Sequence, residues 1–388
     1  MEMLKKINAW LHLWLGIASG IVVVIVSFTG CILVFESELE DMTMQHLHAE
    51  NPKNLPMLPP SKLLPAVQAA MPGKEVNSVW YHGANHTAHF SLNSDSAVYI
   101  NPYTAEVVAL VDHEDFFHFI LDGHTGLWLE SDLGHAIVSY ATLIFLILTI
   151  SGLILWWPKK WTKSARDKSF KIKWSAKFKR INYDLHNVLG FYSMTIAIIL
   201  AVTGLIMGFA WFNKGFYWLS TGGEQVPKYT RAFSDTTVIR PVVAMDMVDK
   251  AWKKGVEEIG VYEKDAIIVS FPEKPSDPIS LCTDMHNGSW RYVYLDQNTL
   301  EELPGSDTQI SKLTIGQWLR RTNYALHVGA IGGLTTKILY FLASLICTSL
   351  PITGFYIWWG RRKSDKQKLD KRMARKNLSN LTVSTGKI

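Results

Sequence analysis

The chain has 388 residues and a net charge of +5, and 48% of it is apolar, with 15 Trp and 14 Tyr. The apolar residues fall in long blocks, which argues against one evenly soluble core, and the basic residues crowd beside those blocks, which argues against nucleic acid as the reason for the positive charge. Three cysteines without a CxxC exclude a disulfide framework and speak against an iron–sulfur centre: Cys31 and Cys347 lie inside apolar blocks, and Cys282 stands alone.

Four stretches, 7–35, 133–158, 185–213 and 338–360, contain no Asp, Glu, Lys or Arg. Each exceeds the roughly 20 residues that a spanning helix needs. The expected fold is an α-helical membrane protein with four transmembrane helices and two small α+β modules outside the bilayer. In chain order, helix 1 is expected over 7–35, a first module with its linker over 36–123 and helix 2 over 124–158. A basic loop over 159–182 leads to helix 3 over 183–213. A second module over 214–325, helix 4 over 326–360 and a basic tail over 361–388 complete the chain. Helix 1 is too long, and lacks the cleavage site, for an ordinary signal peptide. Of the 39 Lys and Arg, 2 precede helix 1, 10 lie in the basic loop and 10 in the tail. The positive-inside rule puts these segments and both termini in the cytoplasm and the two modules in a periplasm or on a cell exterior.

Helix 1 carries His12-x-x-x-Gly16 near its start and Thr29-Gly30 near its end. The proline-rich segment 36–60 reads as an irregular linker. Beyond it comes a helical stretch, Leu63 to Met71, then alternating strand-like runs with the turn Asn101-Pro102-Tyr103-Thr104. His82, His86 and His89 are weakly spaced for a metal, since in a strand the first two share a face and the third does not. His46, His48, His113, His118 and His286 show no pattern. Helix 2 brings His124-Thr125-Gly126, Gly134-His135, Ser151-Gly152 and Trp156-Trp157. Helix 3 repeats helix 1, with His186-x-x-x-Gly190 and Thr203-Gly204. The second module repeats the first, from a helical stretch, Met245 to Val256, to the turn Asp296-Gln297-Asn298-Thr299. Helix 4 repeats helix 2, with His327-Val328-Gly329, Thr353-Gly354 and Trp358-Trp359. The Trp pairs suit an interfacial aromatic belt.

His12 and Gly16, and likewise His186 and Gly190, share a helical face. Ionisable groups at a membrane boundary are costly and mark function. Neutral imidazole suits haem iron, and two axial histidines leave no open site, which favours electron transfer over oxygen binding. His12 to Gly30 and His186 to Gly204 each span 18 residues, roughly 27 Å of helix or one hydrocarbon thickness. The Ser/Thr-Gly pairs of one helix pair therefore lie level with the histidines of the other. Gly30, Gly152, Gly204 and Gly354 are expected to receive a porphyrin, with helix–helix packing as their ordinary alternative role. The pairs His12/His186 and His124/His327 would bind two haems b at opposite membrane faces. His135, inside the charge-free run, is a rival ligand or the ligand of a third haem. A straight helix from His327 to Trp359 would be roughly 48 Å long. Bends at Gly329, Gly332, Gly333 or Pro351, or an intermediate carrier at His135, are the two ways to shorten that path. Lys337, Arg320 and Arg321 are candidates for haem propionates or for interfacial snorkelling.

These motifs resemble the PepSY-associated transmembrane family over nearly the whole chain. The resemblance rests on Leu-His12-x-x-x-Gly16, Thr-Ile-Ser151-Gly152-Leu-Ile-Leu-Trp-Trp-Pro158, Asp184-Leu-His186-x-x-x-Gly190 and His327-Val-Gly-Ala-Ile-Gly-Gly333. It implies PepSY-like modules in the periplasm of a bacterial inner-membrane, di-haem reductase that releases iron from ferric siderophores. Its conserved helix histidines correspond to His12, His124, His186 and His327. The family often has glycine then arginine where this chain has Gly134-His135. No GxGxxG unit or flavin domain occurs in the cytoplasmic segments, so the electron donor is expected to be separate: a soluble reductase, a flavoprotein or quinol. Two rivals remain at this point. One is a haem-free, membrane-anchored binding or regulatory module; the other is a haem subunit serving another periplasmic acceptor.

Overall fold

The computed structural model describes residues 2–51, 53–93, 96–112, 116–237, 244–260, 266–283 and 288–385. Its helices are α1 (Glu2–Leu33), α2 (Glu36–Thr43), α3 (Pro60–Ala70), α4 (Phe116–Gly126), α5 (Ser131–Trp156), α6 (Lys163–Phe170), α7 (Phe178–Asp184), α8 (Gly190–Gly208), α9 (Ala210–Thr221), α10 (Met245–Lys254), α11 (Ile315–Arg321), α12 (Asn323–His327) and α13 (Gly333–Thr385). Its strands are β1 (Val76–Tyr81), β2 (Ala88–Leu92), β3 (Ser96–Ile100), β4 (Val107–Asp112), β5 (Ile267–Ser270), β6 (Ile279–Thr283) and β7 (Arg291–Leu295). Among the described residues, four helical spans are long and apolar enough to cross a membrane: Met3–Leu33, Ser131–Trp156, Phe178–Gly208 and Ala330–Lys363. The chain packs as two units. One gathers residues up to 31, 122–208 and from 339 on; the other gathers 32–121 and 209–338.

The helical unit departs from the expected boundaries at three places. The segment expected as helix 2 is two helices, because α4 ends at Gly126 and Leu127 and Trp128 turn left-handed, with φ of 56° and 55°. The chain then folds back so closely that a Cβ on Gly134 would overlap the Gly126 carbonyl. Helix 3 stops at Gly208, where Phe209 is extended, and α9 begins anew. The tail beyond residue 361 continues α13 as far as Thr385. Close packing uses small residues: Gly20 lies against Pro351, and Gly208 against Ser139. The members of the first Trp pair expected in an aromatic belt differ in exposure. Trp156 is buried and stacks on Phe191, with ring centres 3.9 Å apart, while Trp157 is exposed.

The second unit is built on one seven-stranded antiparallel sheet of order β4-β3-β2-β1-β5-β6-β7. The two expected modules are therefore halves of a single sheet, joined where Val79 pairs with Val269 and Tyr81 with Ile267. Alternation puts Val79, Phe90, Val98, Leu281, Val293 and Leu295 in one continuous core with Leu63 and Val67 of α3 and Val248 of α10. The start of α3 carries prolines and no side-chain cap of its own; Asp249 of α10 accepts from the Ser61 N–H at 2.9 Å instead. The two halves repeat in detail. Asn101 Oδ1 accepts from the N–H groups of Tyr103 and Thr104, and Asp296 Oδ1 from those of Asn298 and Thr299. Ala105 and Leu300 then turn left-handed, at φ of 60° and 61°. The segment expected as an irregular linker is partly helical, forming α2 and a 3₁₀ turn over Gln45–Leu47.

Candidate functional site

Helix 1 delivers His12, and the helix formed by α7 and α8 delivers His186. The second junction is not regular α-helix: Leu185–Leu189 forms a π-turn, the kind of bulge that re-aims a side chain and recurs at functional sites. The two imidazoles face each other with ring centres 6.5 Å apart and planes at 88°.

Each ring sits on a hydroxyl–glycine pair from another helix. His12 Nδ1 lies 2.6 Å from Ser151 Oγ, and a Cβ on Gly152 would come within 3.4 Å of the His12 ring. His186 Nδ1 lies 3.0 Å from Thr353 Oγ1, and a Cβ on Gly354 would come within 3.3 Å of its ring. His124, on α4, has the same seat, 3.2 Å from Thr29 Oγ1 and against Gly30. The glycines expected to face a porphyrin thus face imidazoles at these three positions. Glycine is needed there because a side chain would push the ring off its hydroxyl. Gly16 and Gly190, by contrast, meet only the tips of Leu148 and Leu350 at ordinary contact distance.

The hydroxyls fix the tautomer. Thr353 Oγ1 donates to the Ser349 carbonyl at 2.9 Å, Ser151 Oγ to that of Leu148 at 3.2 Å, and Thr29 Oγ1 to that of Ile25 at 2.8 Å. With its proton so engaged, the Thr353 hydroxyl accepts from His186 and the Thr29 hydroxyl from His124, while Ser151 Oγ and His12 Nδ1 share one hydrogen. His186 Nδ1 also donates to the Leu350 carbonyl at 3.1 Å, and His124 Nδ1 to that of Val26 at 2.9 Å. Carbonyls only accept, so Nδ1 carries the hydrogen and Nε2 keeps its lone pair for a metal. Outside the spanning segments, burial holds the His124 ring below its usual range, which keeps it neutral.

Two residues of this arrangement escaped the sequence reading. Asn8 donates its side-chain N–H to the Ser151 carbonyl at 3.1 Å, and Asn182 to the Thr353 carbonyl at 3.0 Å. Each stands four residues before its histidine and clamps the helix that seats it. The available signal was the doubled spacing Asn-x-x-x-His-x-x-x-Gly, at 8–16 and 182–190. Near the same end, buried Asp184 accepts at Oδ2 from the Arg180 Nε–H at 3.0 Å.

The other expected site residues are placed as follows. His327 ends α12 in the sheet unit rather than lying on the last spanning helix, because Gly329 and Gly333 turn left-handed, at φ of 74° and 63°. The straight 48 Å helix is thereby replaced by a break. Gly204 lies on α8 beside Thr203, which donates to the Ile199 carbonyl at 2.6 Å as the other seat hydroxyls do. His135 is exposed rather than buried, because Gly134 makes the close approach to the α4 end and turns the neighbouring side chain outward. Lys337 is bound to Glu38 at 2.7 Å, and Arg321 to Asp307 at 2.6 Å, so both cations already hold carboxylates. Arg320 lies over the Tyr217 ring. His82 pairs with His89 at 2.9 Å, which separates both from His86. His113 and His286 fall outside the described residues.

The helical unit thus brings two imidazoles together edge to face, each held at Nδ1 by a hydroxyl of another helix. A family model described as a PepSY-associated TM region matches residues 9–361. No curated protein matches the chain.

Proposed function

We propose that this chain, which belongs to the PepSY-associated TM family, is a di-haem b membrane reductase that passes electrons from a cytoplasmic donor to a ferric siderophore or similar chelate in the periplasm. The carrying observation is the His12/His186 pair at 6.5 Å between ring centres. These two residues would be the protein's ligands to a haem iron, which neutral imidazole suits. A haem held by these histidines would supply a reversible one-electron couple.

The protein's own residues do the rest. Ser151 and Thr353 hold the Nδ1 hydrogens, and Asn8 and Asn182 hold the helices that bear those hydroxyls. These hydrogen bonds orient the two rings and would leave Nε2 as the nitrogen available to a metal. His124 meets the same tautomer criterion in its own seat; the family resemblance, and not geometry, names His327 as its partner. The sheet-bearing unit is the proposed periplasmic docking surface for the chelate. Reduction releases iron because Fe(II) binds hard oxygen ligands more weakly than Fe(III). The inner membrane of a bacterium is the proposed location, with both termini cytoplasmic.

A dithionite-reduced minus oxidised spectrum of the detergent-purified chain, with pyridine haemochromogen quantitation, tests this. The expected result is sharp b-type bands and two haems per chain. A count of three brings His135 in as a ligand. A colourless protein, expressed with haem supplied, ends the reading and leaves a membrane-anchored binding module. If haem is present but ferric chelates are not reduced, the acceptor is another periplasmic molecule. Thr353→Val, which keeps the shape and removes the hydroxyl, is expected to weaken retention of one haem about 10–100-fold. Thr149→Val, whose hydroxyl bonds only the Phe145 carbonyl of its own helix among the described contacts, serves as the control.

A further inference from the structure

We propose that Asp41, His48 and His86 form a site for a divalent first-row transition-metal ion, separate from the helix histidines. The backbone builds it. His48 and His86 face each other in an isolated antiparallel bridge, flanked by Ala49 N–H to the Asn85 carbonyl at 3.0 Å and Thr87 N–H to the Leu47 carbonyl at 2.9 Å. Their ring centres are consequently 5.7 Å apart. Asp41, near the end of α2, points its carboxylate at both: Oδ1 lies 3.2 Å from His86 Nε2 and 3.8 Å from His48 Nε2.

The polar geometry at this point fits a cation. His86 Nδ1 lies 3.0 Å from the Ala84 carbonyl, which can only accept, so Nδ1 carries the hydrogen. A neutral His86 then turns the Nε2 lone pair toward Asp41 Oδ1, which is also only an acceptor. Two acceptors held 3.2 Å apart repel, and either a metal ion between them or a second proton on the ring relieves that repulsion. His48 Nε2 donates to the Asp41 main-chain carbonyl at 2.7 Å; metal binding requires that ring to move its hydrogen to Nδ1 and to turn Nε2 from the carbonyl to the ion.

The ligand atoms of all three residues lie within 4.8 Å of one another. Donors about 2.0–2.2 Å from a common ion stand about 3–4 Å apart, which the two Oδ1 distances match. Two imidazoles and one carboxylate select Zn(II) or Fe(II) over Mg(II) or Ca(II), which prefer oxygen shells. The side chains are 52% (Asp41), 47% (His48) and 38% (His86) exposed, so one side of the ion stays open to water or an exogenous ligand. The site does not depend on the haem proposal.

Isothermal titration of the full-length, tag-free, chelator-treated protein with Zn(II) tests it. The expected result is one saturable equivalent per chain. Asp41→Asn, His48→Gln and His86→Gln are each expected to weaken that affinity at least tenfold, while His82→Gln leaves it unchanged and all four variants keep the parent's unfolding temperature. No saturable uptake by the parent protein, or an affinity that survives His86→Gln, overturns the proposal.

Discussion

His12→Ala and His186→Ala are each expected to strip the same single haem from the chain. The reduced-minus-oxidised band should fall to about half in either variant, and the double variant should fall no further. In the proposed function the two rings serve one haem: they lie 6.5 Å apart, on separate helices and separate seats. Loss of either leaves the other imidazole facing an unfilled coordination position. The loss of ferric-chelate reduction should exceed the about 10–100-fold expected of a change that only touches a ligand's hydrogen-bond partner. Haem quantitation and optical spectra of the purified variants check this. Undiminished haem in both would remove the pair as ligands and, with it, the observation that carries the proposed function.

Phe90→Ala should destabilise the sheet unit by about 3–5 kcal/mol, the usual cost of removing a fully buried phenyl ring. Phe90 has no exposed surface and lies in a core that continues from β2 through Val79 and Val269 to Leu281 and Leu295. Because that core crosses the β1–β5 seam, amide protection should fall in β5–β7 as well as in β1–β4. Hydrogen exchange read by mass spectrometry on peptides from both halves decides it. Unchanged protection over 267–295 would mean that the halves unfold independently despite sharing a sheet.

The four spanning helices were legible because the absence of charge over more than 20 residues is a local signal that tertiary packing does not override. The histidines and the hydroxyl–glycine pairs were legible as repeats, and so were the turns at Asn101 and Asp296. What those repeats do was only half legible. Spacing put Gly152 and Gly354 level with histidines, but which group fills a small-residue gap depends on which helix is the neighbour. The breaks at 127–130 and 328–333 were hidden for a different reason. Leu127 and Trp128 adopt left-handed backbone that their residue types do not advertise, and Gly134 reads as an ordinary helical glycine until its contact with the Gly126 carbonyl is seen. The seam between β1 and β5 is a long-range pairing, and no period within either half encodes the edge it will join. Asp41, His48 and His86 come together for the same reason: the bridge that sets the two imidazoles side by side joins segments nearly forty residues apart.

That seam also sets a timetable. β1 ends at Tyr81 and β5 begins at Ile267, so a ribosome adding about 5–20 residues per second completes the first strand on the order of ten seconds or more before it supplies the second. Throughout that interval the newborn half-sheet carries a bare edge of apolar residues, the kind of template on which chains stick to one another. The nascent protein therefore passes through a vulnerable stage between its two halves, and its yield depends on how well that single edge is shielded until its partner emerges.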